Sequence, residues 1–489
     1  MVVHHNLSGL AKRWLFLPIL FIAGSVFSQT GYEIKVTLKP FANQYVYLGH
    51  YSGKQYPFID SVRLDANSQG IFRGSKPLGG GIYIIIYPQK NGFIEMLVDK
   101  QQHFSIEADT SHVDGKRKFT NSADNDLFLE YQQQMAVKGR QMESVRTNLK
   151  NATNAKDSAK WNDELKKVSA AISAYRKKVA ADHPNTLMSL LMHLMEEPVV
   201  PPAEKHPGGK YDSTYAYRYY KDNYWNGIGF WDDRVTRTPA ALFEDRLDKY
   251  FNTLVYPAAD SVIKEIDYML GYASASKEMT RVLLVKFVNR YLNMKYMWED
   301  AVFVHLFEKY FSQKEYDWLT PEGKKIITNR AYNLMANIMG RPAENIMLPD
   351  STGATKSLYA DTARFTVVCF YDPTCGHCKE TLPLLDSLYR LSWKKNGVSI
   401  YAVAKETDAT RKDWLRFVKD HHLEGWTHVF YSKAEEKARI DANIPSYSQL
   451  YDVQTFPTIY LLDRDKRVVA KKLSWQQTDE ILQLKLKQP

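Results

Sequence analysis

The sequence predicts a multi-domain protein: an N-terminal all-β, sandwich-like domain, a helical middle domain and a C-terminal α/β domain. Three observations carry this. A length of 489 residues exceeds what one ordinary hydrophobic core holds. The apolar pattern changes along the chain from short alternating runs, to helical spacing, to strands and helices in alternation. All three cysteines, Cys369, Cys375 and Cys378, fall in the last of these regions. The boundaries read as 1–28 for an export signal, then 29–122, 123–339 and 340–489.

Hydrophobic residues at 44% and charged residues at 25% describe a folded globular chain and exclude a disordered one. The net charge of +10 is spread along helical stretches such as Glu164 to Lys178. With no compact basic patch or recognition motif, that charge reads as a solvated surface, and nucleic acid is not expected as a partner. At the N-terminus, Lys12 and Arg13 precede an apolar run from Trp14 to Phe27, followed by Ser28-Gln29-Thr30. A positive flank, a short apolar core and the Val26-Phe27-Ser28 pattern predict a secretory signal cut near Ser28. The run is shorter than the roughly 18–20 residues that span a bilayer, so no stable membrane insertion is expected after cleavage. An uncleaved anchor is the alternative.

From Gly31 to Thr120 the runs Glu33 to Leu38, Tyr45 to Leu48, Phe58 to Leu64, Gly81 to Tyr87, Phe93 to Val98 and His103 to Ala108 read as strands. Breakers such as Ser52-Gly53, Asn67-Ser68 and Asn91-Gly92 separate them, the rhythm of a small sandwich or barrel. Gly79-Gly80-Gly81 feeds a strand and lacks a following lysine and helix, so it is not a phosphate loop. From Asp124 to Gly340 the spacing is helical, over Leu127 to Val145, Ala159 to Ala181, Ala240 to Val255, Ser261 to Tyr272, Glu278 to Met294, Asp300 to Tyr310 and Pro321 to Met339. Thr320-Pro321 has the chemistry of an N-cap followed by proline in the first turn. The aromatic-rich segment Tyr215 to Trp231 reads as helix packing, with a partner-binding face as the alternative.

Beyond Arg341, strands are expected at Phe365 to Phe370, Val398 to Lys405, Trp426 to Phe430, Thr458 to Leu462 and Arg467 to Lys472. Helices are expected at Cys378 to Trp393, Arg411 to Asp420 and Ser474 to Lys487. Cys375-Gly376-His377-Cys378 sits between the first strand and the first helix. A thiol at a helix N-terminus meets the positive end of the macrodipole and unpaired N–H groups, which favour the thiolate. A second thiol three residues on can close a disulfide with it, the minimum for exchanging two electrons with another dithiol. A structural zinc needs a second cysteine pair, which the chain lacks, and His421, His422 and His428 have no companions at metal spacing. No metal and no cofactor are expected.

Pro383 falls inside the helix that follows, and Tyr451-Asp452-Val453-Gln454-Thr455-Phe456-Pro457-Thr458 leads into an apolar strand. With Gly340, Ala343, Leu348, Asp350 and Gly353 as a lead-in, these features resemble the thioredoxin superfamily, specifically the exported TlpA/ResA-like thiol–disulfide oxidoreductases, over the last 150 or so residues. The two preceding regions resemble, by order and character, the DUF4369 and DUF5106 kinds. The resemblance implies a thioredoxin fold for the C-terminal domain, a periplasmic location, and protein thiols or disulfides as partners together with a membrane-bound electron donor. It implies that Cys375 attacks, that Cys378 resolves the mixed disulfide, and that Pro457 is cis and faces the pair, with Phe456 and Thr455 offering backbone to an extended substrate. His377 is expected to stabilise the Cys375 thiolate and to place the potential between about −270 mV and about −180 mV. Thioredoxins carry a buried aspartate where this chain has Cys369, so a proton acceptor is expected elsewhere, at Glu406, Glu380 or water. Cys369 itself reads as a core thiol.

The resulting reading is an exported reductase. An oxidase or isomerase running the same chemistry in reverse, and a surface binding protein with a supporting thioredoxin domain, are the alternatives. A peroxidase of the peroxiredoxin branch requires proline and threonine seven and three residues before its cysteine, where Cys375 has Val368 and Asp372.

Overall fold

The computed structural model describes residues 31–111 and 117–487, so the export segment expected at 1–28 lies outside the described residues. The chain clusters into two compact units. One runs to Gly49 and resumes over Phe58–Gln132; the other holds His50–Pro57 and Gln133 onward.

In the first unit, side chains alternate in and out along Tyr32–Lys39, burying Ile34, Val36 and Leu38 and leaving Lys35 and Lys39 outside. That strand pairs antiparallel with Gln69–Gly74 and parallel with His103–Asp109, whose far side carries Arg117–Thr120. A second sheet orders Phe58–Arg63, Tyr45–His50, Gly81–Ile86 and Phe93–Val98. Ile34, Phe72 and Ile106 from the first sheet meet Val46, Ile85 and Met96 from the second in one core. Gln69–Gly74 and Arg117–Thr120 are strands that the apolar pattern did not disclose. Gly70 lies inside the former because Leu64 packs so close that a Cβ would stand 2.9 Å from its side chain. The buried side chain of Asn125 accepts from Leu97 N at 2.7 Å and donates to Leu97 O at 2.8 Å, completing the pairing of strand Phe93–Val98.

In the second unit, helices Ala155–Asp182, Leu187–Met195, Ser213–Asp222, Glu244–Thr253, Ala259–Ala273, Lys277–Leu292, Glu299–Leu306 and Pro321–Met335 precede the α/β region. Thr320 caps the last of them through Gly323 N, with Pro321 in its first turn. Within the aromatic-rich segment, Tyr224 and Phe230 are core residues and Trp231 is exposed.

The α/β region is built on a five-stranded sheet ordered Thr427–Tyr431, Val398–Lys405, Phe365–Tyr371, Thr458–Asp463, Val468–Lys471. The first three strands are parallel and the last two antiparallel to their neighbours. The central strand Phe365–Tyr371 is buried on both faces, as its unbroken apolar run requires. Val367, Cys369 and Tyr371 point to a core shared with Cys378, Leu382 and Leu385 of helix Gly376–Leu388. Val368 and Phe370 point to the opposite core, with Leu348, Tyr401 and Tyr460. Helices Arg411–Asp420, Lys433–Asp441 and Trp475–Leu486 also belong to this region.

Candidate functional site

Cys375 is the N-cap residue of helix Gly376–Leu388, with extended backbone at φ −67° and ψ 125°. The turn that delivers it is built by Asp372-Pro373-Thr374. The Asp372 carbonyl accepts from Cys375 N at 3.1 Å, and its carboxylate accepts from the Thr374 backbone N–H and hydroxyl, both at 2.7 Å. The Thr407 hydroxyl also donates to that carboxylate. The half-buried Cys375 sulfur makes no capping bond, so it stays available at the positive end of the helix dipole. It donates instead to the Phe456 carbonyl, 3.6 Å away. The Phe456–Pro457 peptide is cis. Thr455 stands one residue further back, its carbonyl accepting from the Thr458 hydroxyl at 2.6 Å.

One turn into the helix, Cys378 is wholly buried. Burial pushes its thiol well above the usual range, against a hydrogen bond with the Asp372 backbone that favours the thiolate, while the neighbouring Cys369 and Cys375 push it further up. Both cysteines are thiols here, as is Cys369. The pair thus combines an accessible sulfur with a protected one, which fits a nucleophile and a resolving group.

Cys369 lies on the central strand between Ala402 and Ile459, and burial pushes its thiol up to about 12. It therefore has essentially no thiolate at neutral pH. Brief alkylation of the folded chain is expected to label Cys375 and spare Cys369 and Cys378, read by peptide mass spectrometry. Cys369→Ala is expected to leave turnover intact and to cost about 1 kcal/mol of stability through lost packing. Rapid native labelling of Cys369, or loss of turnover in Cys369→Ala, would make it a third working thiol.

His377 is 85% exposed, and its Nδ1 faces the equally exposed Glu380 carboxylate at 3.9 Å. The ring is thus turned to Glu380 and solvent and makes no hydrogen bond to the Cys375 sulfur among the described residues. Glu406, one of the expected proton acceptors, is engaged elsewhere: its carboxylate accepts from Lys433 N at 2.7 Å. The buried carboxylate beside the pair is Asp372, three residues before Cys375, and its Asp-Pro-Thr run is turn chemistry. His428 is half-buried, and its Nε2–H donates to Leu423 O at 2.7 Å. Among the described residues, no cluster of three or more His, Cys, Asp or Glu is arranged to hold a metal, and no helix is long and apolar enough to cross a membrane.

Residues 339–471 match the AhpC/TSA family. The C-terminal region is a thioredoxin-like domain of that family. Its curated relatives include the thiol-disulfide oxidoreductase ResA of Bacillus thuringiensis subsp. konkukian, 29% identical over 150 residues that make up 30% of this chain and 77% of the relative. The ResA of Bacillus anthracis is 28% identical over the same share of each chain. Among solved structures, a domain of a possible thiol-disulfide isomerase from Cytophaga hutchinsonii is 28% identical, covering 30% of this chain and 93% of that one at a TM-score of 0.26. A thioredoxin-like protein from Bacteroides caccae is 18% identical, covering 59% of this chain and 99% of that one at a TM-score of 0.42. Within the thioredoxin-like domain, the matched span holds all three cysteines and the Phe456–Pro457 peptide.

Proposed function

We propose that the protein is an exported thiol–disulfide oxidoreductase that exchanges electrons with protein cysteines through Cys375 and Cys378, working as a reductase. The observation that carries this reading is the accessible Cys375 sulfur at a helix N-cap, facing the Phe456 carbonyl, with Cys378 buried one turn behind it. The Cys375 thiolate attacks one sulfur of a partner disulfide; the partner's S–S bond breaks, its other sulfur leaves as thiolate, and a mixed disulfide forms. Cys378 then loses its proton and attacks the Cys375 sulfur, releasing the partner's second thiolate. The partner gains two electrons, and the Cys375–Cys378 disulfide holds the oxidised state. Because Cys378 is held protonated by burial, its proton leaves as its sulfur attacks. The first thiolate released from the partner is the base formed at the site itself, and it is the acceptor assigned here.

Asp372 keeps this geometry by holding the turn before Cys375. Phe456, Thr455 and Pro457 form the edge along which an extended partner segment would lie. Export rests on the Lys12 to Ser28 pattern, and a membrane-bound donor would return electrons to the Cys375–Cys378 disulfide. Direction follows from the partner's potential, and a protonated His377 would favour an oxidising poise, the one feature that supports an oxidase or isomerase. The test is turnover of a protein disulfide with dithiothreitol as electron source. The full chain is expected to catalyse it and Cys375→Ser to fall to the uncatalysed rate; equal rates would refute the assignment.

A further inference from the structure

The helical region meets the thioredoxin-like domain along the segment that runs to Pro457. Asp452, in that segment, has only 1% of its side chain exposed and a left-handed backbone at φ +44°, which a non-glycine residue adopts only when its surroundings hold it. Two cations hold it. Arg330 of helix Pro321–Met335 donates to Oδ2 at 2.7 Å, and Lys472 donates to the same oxygen at 2.5 Å. Burial alone would raise the Asp452 carboxyl; Lys472 and Arg330 outweigh it and hold the group below the usual carboxylate range. The other oxygen accepts from Gln454 Nε2 at 2.9 Å, two residues closer to the redox pair. Asn337, just beyond the same helix, donates to Leu450 O at 2.9 Å and fixes the start of the segment. Its far end is the Phe456 carbonyl that receives the Cys375 thiol.

We propose that Arg330 is a positioning residue of the redox site: through Asp452 it fixes the Leu450–Pro457 segment, so that the helical region sets how well a protein partner docks without touching either sulfur. This rests on reading the site as a protein thiol–disulfide exchanger. The double pairing of Asp452 makes the idea separable from bulk stability. Removing Arg330 leaves the buried carboxylate neutralised by Lys472, so no uncompensated charge is created. What is lost is the ion pair that ties Asp452 to the helical region, while the Asn337–Leu450 bond remains.

The test compares the full chain with Arg330→Met and Arg330→Lys, using a protein disulfide as substrate and iodoacetamide as a small probe of Cys375. Arg330→Met is expected to raise KM for the protein substrate by roughly 2- to 30-fold. Turnover at saturation and the rate of Cys375 alkylation stay at the level of the unaltered chain, and Arg330→Lys recovers most of the loss. An unchanged KM in folded Arg330→Met would overturn the proposal. So would parallel changes in KM and in alkylation, because they report a general loosening of the site. Should Arg330→Met not fold, Arg330→Gln replaces it with the same expected and contradicting results. Absence of turnover in the unaltered chain is a different failure, since it removes the redox reading and this proposal with it.

Discussion

Cys378→Ala is expected to turn the protein from a catalyst into a trap. Cys375 remains at its N-cap and still attacks a partner disulfide, but no second thiol stands one turn away to release the product. Partner proteins should then accumulate on Cys375 as adducts that dissociate under reducing agent, while multiple turnover falls to the uncatalysed rate. Cys375→Ala should give neither adducts nor turnover, because the remaining Cys378 is wholly buried with its thiol pushed well up. The trapped species also decide the direction of electron flow. Membrane electron donors and apocytochromes would fit a reductase, and a broad set of newly exported proteins would fit an oxidase. Adducts on Cys378 in the Cys375→Ala chain would reverse the assigned roles.

The second large effect concerns the buried ion pair under the sheet edge. Lys471 Nζ donates to Asp300 Oδ2 at 2.5 Å, with side chains 4% and 0% exposed, and also to the Asn337 carbonyl and amide oxygens at 2.9 Å and 2.7 Å. Asp300→Ala strands a buried cation and is expected to destabilise this unit by about 3–5 kcal/mol. Replacing both partners, as Asp300→Leu with Lys471→Met, removes the need to desolvate either charge. The pair is then expected to recover most of that loss, measured by urea unfolding. Equal destabilisation by the single and double variants would mean that packing, not charge burial, controls the site.

These two predictions draw on very different amounts of sequence information. Cys375, Cys378 and Pro457 were legible because their chemistry is local: two thiols a helical turn apart after an apolar strand, and a proline just before another. The central strand was legible because burial on both faces demands a continuous apolar run. Pairs such as Arg330 with Asp452 and Lys471 with Asp300 join residues 122 and 171 positions apart, and nothing in local spacing announces them. Helix Lys433–Asp441 escaped notice because it buries no residue, so it has no apolar stripe. Its Ser432–Glu435 capping box was the available signal. Helix Ser213–Asp222 was masked by its tyrosines, although Asp212 caps it through Thr214 N and Tyr215 N. The direction of the His377 ring was not legible from its place between the cysteines: successive residues on a helix point in different directions, and the ring faces solvent and Glu380.

The most direct test of the central claim is a titration of the full chain in glutathione buffers of graded potential, with the cysteines read by mass spectrometry after alkylation. The account predicts one two-electron transition in which Cys375 and Cys378 are lost together to a disulfide and Cys369 stays reduced. Its midpoint should lie between about −270 mV and about −180 mV. A midpoint below that window would remove the role given to His377. Failure to form the Cys375–Cys378 bond at any potential would contradict the account itself.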